Sequence, residues 1–152
     1  MATRFFPIYN IDEAVGPRQP NRGDDVRLIQ AIFIELSRFS GLDWSQNLPA
    51  RSRSLAMTGL FDSKLEQWIV EFQNSVVPAF ASELKSDGII DPLPQAGNLS
   101  FGNDFKQGRH ATLAFLCNHL WRCNSTAYMK IGEDNSIPWY PSALDPGHVT
   151  VG

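Results

Sequence analysis

Apolar residues recur at three- and four-residue spacing in three stretches of the chain, and each stretch predicts a helix. The first reads DDVRLIQAIFIELSRF, where Val26, Ile29, Ile32, Phe33, Leu36 and Phe39 make one wide stripe. Asp24 or Asp25 is placed to accept bonds from the free amides at its start, and Gly41 to end it. The second lies in TGLFDSKLEQWIVEFQNSVV, with Phe61, Leu65, Trp68, Ile69, Phe72 and Val76 as its apolar face and Asp62 or Ser63 as its cap. The third lies in RHATLAFLCNHLWRCN, where Leu113, Leu116, Cys117, Leu120 and Trp121 follow the helical period. A shorter piece, PAFASELKS, sets Phe80 and Leu84 on one side, and Pro78 before it interrupts the second helix or starts a new turn.

Between these stretches the pattern is irregular. Residues 1–23 form a lead-in with the polar turn chemistry VGPRQPNRG. The connection LDWSQNLPARSRSLAM is too polar to be core. In DGIIDPLP, Asp87-Gly88 supplies a turn and Ile89-Ile90 a buried extended pair. QAGNLSFGNDFKQG is a Gly/Asn-rich linker to the third helix. From Ser125 to Gly152 the tail holds Pro138, Pro141 and Pro146, with Trp139 and Tyr140 among them, which favours an extended or turning path. The tail reads as a wrap or an arm.

Three of these segments stand in a telling order. Asp25-Val26-Arg27-Leu28-Ile29-Gln30 opens the first helix; Gly59-Leu60-Phe61 leads to Trp68-Ile69-Val70-Glu71-Phe72-Gln73 on the second; Asp87-Gly88-Ile89-Ile90-Asp91-Pro92 follows. Together they resemble the peptidoglycan-binding family of bacterial cell-wall proteins. Its repeat couples a D-V-x-x-L-Q helix to a G-x-F…A-V-x-x-F-Q helix and closes on an extended D-G-I-V segment. The match covers about residues 15–94. It departs from the family where Leu65 replaces a small hydroxylated residue and Trp68 an alanine, and where residues 41–57 and 75–86 are longer than the family's loops. These departures mark a diverged member. The resemblance implies an all-α fold: a compact bundle of three family helices over residues 24–94. A C-terminal helix would dock on the same domain within 95–152, with irregular arms at both ends. It also implies a non-catalytic module that binds wall glycan or its stem peptides.

Composition narrows the setting. The 152 residues suit one domain, and 43% hydrophobic with 19% charged residues is ordinary for a globular chain. A formal net charge of −3 gives no general attraction to phosphate backbones, so nucleic acid is not an expected partner. No stretch approaches the roughly 18 apolar residues of a membrane span, and no membrane insertion is expected. Pro7 and then charges stand where a signal peptide carries its apolar core. The expectation is synthesis in the cytoplasm, with action at the wall after release or within a particle.

The sequence offers little for catalysis. The two cysteines, Cys117 and Cys123, do not share a helix face and read as buried free thiols. With His119 they do not converge on one ion, and His110, His119 and His148 form no H-x-H or H-x-x-x-H pair. Glu66, Glu71 and Glu83 fall between apolar positions, where solvated charges belong. Neither a nucleophile elbow nor a phosphate-cradling loop occurs. The expectation is no enzyme, no metal and no cofactor.

Binding remains. Aromatic faces hold sugar rings and arginine forks suit carboxylates, so Trp44, Arg51 and Arg53 are candidate ligand residues; the alternative is a solvated loop with one anchoring Trp. Gln73 and Asp87 join them from the family pattern, where the alternatives are a helix-to-loop tie for Gln30 and Gln73 and a self-held turn for Asp87. A second functional class stays open. An adaptor in a phage-tail-like or contractile injection particle would keep the fold and bind protein subunits through Trp139 and Tyr140.

Overall fold

The computed structural model describes residues 7–9, 11–38, 54–75, 87–92, 99–100, 111–131 and 147–150. Helices dominate them: α1 (Gly23–Arg38), α2 (Ser63–Ser75), α3 (Ala111–Cys123) and α4 (Ser125–Ile131). Three short strands, β1 (Pro7–Ile8), β2 (Leu99–Ser100) and β3 (Gly147–Thr150), pair in the order β1-β3-β2, antiparallel between β1 and β3 and parallel between β2 and β3. The sequence pattern predicts no such ribbon, because two-residue strands carry no alternation to read.

The apolar stripes do what their spacing requires. Val26, Ile29, Ile32, Phe33 and Leu36 of α1 are all fully buried, as are Leu65, Ile69 and Phe72 of α2 and Leu113, Leu116, Cys117 and Leu120 of α3. Phe33 is the hinge of this core: its ring lies 5.6 Å from Trp68 and 6.0 Å, edge-on, from Phe72. Trp68 is buried beside it, so its indole fills the space between α1 and α2. Helices α3 and α4 both pack on α1 and on each other. Burial of a single leucine in such a core is worth roughly 2–5 kcal/mol against alanine. No described helix is long and apolar enough to cross a membrane.

Two expectations change. The tail does not begin as an extended path: Ser125–Ile131 form α4, with Tyr128 and Ile131 buried. Asn124 makes the corner. Its amide donates to the Leu120 carbonyl (2.8 Å), closing α3, while its Oδ1 accepts the Ala127 amide (3.0 Å), capping α4. All three prolines of the tail come later, so none opposes this helix. The lead-in is irregular, yet Tyr9, Ile11 and Val15 are buried in the main core. The Tyr9 hydroxyl donates to the Tyr128 carbonyl (2.6 Å), and the two rings lie 4.6 Å apart. An apolar residue in an irregular segment has no periodicity to announce its burial, which is why the sequence pattern leaves these three unplaced.

Asp62 caps α2, its Oδ1 accepting the Leu65 amide at 2.8 Å. Asp25 does not serve its own helix start. Its two oxygens accept the amides of Asp12 (3.0 Å) and Glu13 (3.1 Å), tying the lead-in to α1. Burial pushes this carboxyl above the ordinary carboxylate value, against the opposing pull of the two amides. Gly41, Phe39, Val76 and the PAFASELKS segment lie outside the described residues.

Candidate functional site

Two glutamines, one on each of the first two helices, each hold a glycine turn. On α1, Gln30 Oε1 accepts the Gly59 amide (2.9 Å), and its Nε2 donates to the Thr58 hydroxyl (3.0 Å) and the Leu60 carbonyl (3.3 Å). On α2, Gln73 Oε1 accepts the Gly88 amide (2.9 Å), and its Nε2 donates to Asp87 Oδ1 (3.3 Å) and the Ile89 carbonyl (3.1 Å). The turns match internally as well. Thr58 Oγ1 accepts the Leu60 amide (3.2 Å), and Asp87 Oδ1 accepts the Ile89 amide (2.9 Å). Both glycines adopt left-handed backbone, φ 75° at Gly59 and φ 73° at Gly88, which costs a side-chain-bearing residue roughly 1–2 kcal/mol.

Each arrangement is thus a clamp. A buried carboxamide offers one acceptor and two donor hydrogens at fixed spacing, which suits a turn that presents an amide and then a carbonyl. The glutamines are 2% and 3% exposed, so their amides exchange few of these bonds with water. The second clamp has an extra arm: Thr112 Oγ1 on α3 also lies 3.2 Å from Gln73 Nε2, whose two hydrogens are shared among it, Asp87 Oδ1 and the Ile89 carbonyl. Beyond it, Ile90 pairs with Val15 through two backbone bonds of 2.8 and 3.0 Å, joining the second turn to the lead-in.

Of the five candidate ligand residues, the structure brings Gln73 and Asp87 together within this second clamp. Gln73 is buried with its carboxamide bonded to protein on both sides, and Asp87 is exposed while it holds its own turn. Trp44, Arg51 and Arg53 lie outside the described residues, as do Trp139 and Tyr140. Thr58 and Thr112 are participants that periodicity does not single out. The signal for Thr58 is the repeated pattern of Thr58-Gly59-Leu60 and Asp87-Gly88-Ile89, a hydroxyl or carboxylate followed by glycine and a branched apolar residue; Thr112 has none.

The groups able to move protons stand elsewhere. Cys117 is buried and donates to the Tyr9 carbonyl (3.6 Å), and burial pushes its thiol up to about 12. Cys123 is exposed, contrary to the expectation of two buried thiols; it is the last residue of α3, where the apolar face gives way to Arg122 and Asn124. Burial raises Tyr128 well above the ordinary tyrosine value, with Cys117 beside it. His119 packs edge-on to Phe72 at 6.3 Å, its Nε2 shut off from solvent without a hydrogen-bond partner. Burial, helped by the charge of Arg122, lowers its affinity for a proton. Among the described residues no group of three or more His, Cys, Asp or Glu is placed to hold a metal ion. What the clamps do chemically is fix backbone, not activate a bond.

The chain matches no family model, no curated protein and no solved structure.

Proposed function

We propose that this chain is a diverged peptidoglycan-binding-like module, non-catalytic, that binds the glycan or stem peptide of the bacterial cell wall. In this reading residues 24–94 are the family's helical unit, and residues 95–152 pack on it as an added helix and arm. The paired clamps are the observation that carries it. The family-like segments meet two by two in space: the glutamine of each helix motif holds the glycine turn of the segment that follows. A shared pattern of letters thereby has a shared physical task. The binding residues in this reading are Trp44, Arg51 and Arg53, with Gln73 and Asp87 holding the second turn.

Purified protein incubated with insoluble peptidoglycan sacculi at low and moderate salt tests the proposal. Saturable retention that Trp44→Ala removes, with an unchanged thermal melt, is the expected result. Absence of retention at either salt refutes it. One observation favours an adaptor role instead: Leu60 and Met129 are large apolar side chains left 70% and 44% exposed. In that case the module assembles with protein subunits of a particle, and replacing Leu60 and Met129 together by serine weakens that association.

A further inference from the structure

We propose that Asp87-Gly88 is a self-modification site, where aspartate isomerises to isoaspartate, and that the Gln73 clamp withholds this reaction from the folded chain. It is the only Asp-Gly pair in the sequence, and no Asn-Gly pair occurs. Glycine has no side chain to shield its amide nitrogen, so a preceding carboxyl is attacked most readily here. In the first step a base in the solvent takes the Gly88 amide proton and the nitrogen bonds to Asp87 Cγ. The carboxylic acid loses its hydroxyl, which leaves with that proton as water. Water then adds to the resulting succinimide at the Asp87 main-chain carbonyl and breaks its bond to the Gly88 nitrogen. The main chain now runs through Cγ, longer by one carbon, and the former main-chain carbonyl is the free carboxylate.

The clamp obstructs both reacting groups. Gly88 is buried and its amide donates to Gln73 Oε1 (2.9 Å), which keeps solvent bases from the proton. In the succinimide, Cγ takes the place of that proton, on the side where Gln73 Oε1 stands. Acceptor and carboxyl thus compete for one nitrogen. Asp87 is exposed but tethered, since its Oδ1 accepts the Ile89 amide (2.9 Å) and lies 3.3 Å from Gln73 Nε2. Neighbouring elements close in as well. A carbon added at Gly88 would come 3.4 Å from Glu66 Cγ and Val70 Cγ2 of α2, and one added at Gly16 would come 2.8 Å from the Gly88 carbonyl oxygen. The product does not fit this setting. Its extra carbon spoils the spacing at which Gln73 meets Gly88 and Ile89 while Ile90 keeps its two bonds to Val15. The reaction therefore belongs to molecules whose clamp has opened, and it keeps them open.

The full chain is aged at neutral pH and physiological temperature, native in one arm and unfolded in guanidinium chloride in the other. Isoaspartate is located by peptide fragmentation that cuts inside the altered linkage. In the unfolded arm Asp87 is expected to isomerise ahead of every other Asp, and in the native arm at least about tenfold more slowly. Equal rates in the two arms, or another aspartate leading in the unfolded arm, overturn the proposal. Folded Gln73→Leu is expected to isomerise Asp87 about fivefold or more faster than the native parent. Gly16→Ala, which presses on the Gly88 carbonyl without touching Gln73, loosens the same turn and carries the comparison if Gln73→Leu does not fold. Gln30→Leu weakens the fold away from this turn and is expected to stay within about twofold of the parent. An equal rise in Gln30→Leu, or none in the two variants at the turn, overturns the protective role of the clamp.

Discussion

The two clamps use one side-chain type and one turn geometry, yet they are embedded differently. Gln30 joins a single helix to the turn at Thr58-Gly59-Leu60, whose last residue projects into solvent. Gln73 joins α2 to the turn at Asp87-Gly88-Ile89 and also to Thr112 of α3, and that turn runs directly into the Ile90–Val15 bridge. The same carboxamide is thus a local fastener in one place and a junction of three segments in the other. A hydrogen-bonding motif does not carry a fixed energetic weight; the weight depends on how many buried groups its loss would strand.

That difference is open to measurement. Gln73→Leu, which strands the Gly88 amide, the Ile89 carbonyl and the buried Thr112 hydroxyl, should cost about 2–4 kcal/mol in urea unfolding. Gln30→Leu should cost about 1–3 kcal/mol, since water reaches Thr58 and Leu60. Equal losses would break the comparison. Gly16→Ala probes the second clamp from outside, because the added carbon would sit 2.8 Å from the Gly88 carbonyl oxygen and 2.9 Å from Ile89 Cα. Against backbone there is little to yield, and a loss of about 1–3 kcal/mol is expected. The corresponding change at the first clamp, Gly59→Ala, meets the movable Arg27 side chain at 3.0 Å, so the φ penalty of roughly 1–2 kcal/mol should dominate there.

Thr112→Val sharpens the contrast by removing only the third arm. It should cost about 1 kcal/mol alone and almost nothing in a Gln73→Leu background, the coupling being read from a double-mutant cycle. The smallest effect concerns pH. His119 lies against Phe72, the neighbour of Gln73, and its folded-state proton affinity is depressed below the ordinary value of 6.5. Between those two values the unfolded chain binds more protons than the native one, so stability is fully present above about 6.5 and falls as pH is lowered toward the shifted value. His119→Leu should flatten that slope in denaturation midpoints taken from pH 7.5 to 5, whereas Gln30→Leu should leave it intact.

The helices were legible in the sequence to the extent that their burial is periodic. α1 and α2 announce themselves through Val26 to Leu36 and Leu65 to Phe72, and Asp62 stands where a cap belongs. α4 escapes because a helix of seven residues with two buried positions, Tyr128 and Ile131, repeats its pattern only once. Asp25 misleads for a different reason. An acid at a helix start suits a cap and a long-range acceptor equally well, and only the folded position of Asp12 and Glu13 decides between them. For the clamps, the sequence singles out Gln30, Gln73 and Asp87 only through a resemblance in short motifs. Thr112 is another matter, since a threonine in the first turn of α3 signals nothing until α2 is brought against it.

The unequal thiols have a practical consequence. At neutral pH a maleimide reacts with thiolate, and Cys117, buried and pushed up to about 12, offers almost none, while Cys123 stands exposed at the end of α3. The native chain should therefore take one fluorophore or spin label, at a single address beside the α3–α4 corner, without any engineered cysteine. A second label would enter only when the core comes apart around Tyr9 and Tyr128, so the slow uptake of that second label would time the opening of the fold from within.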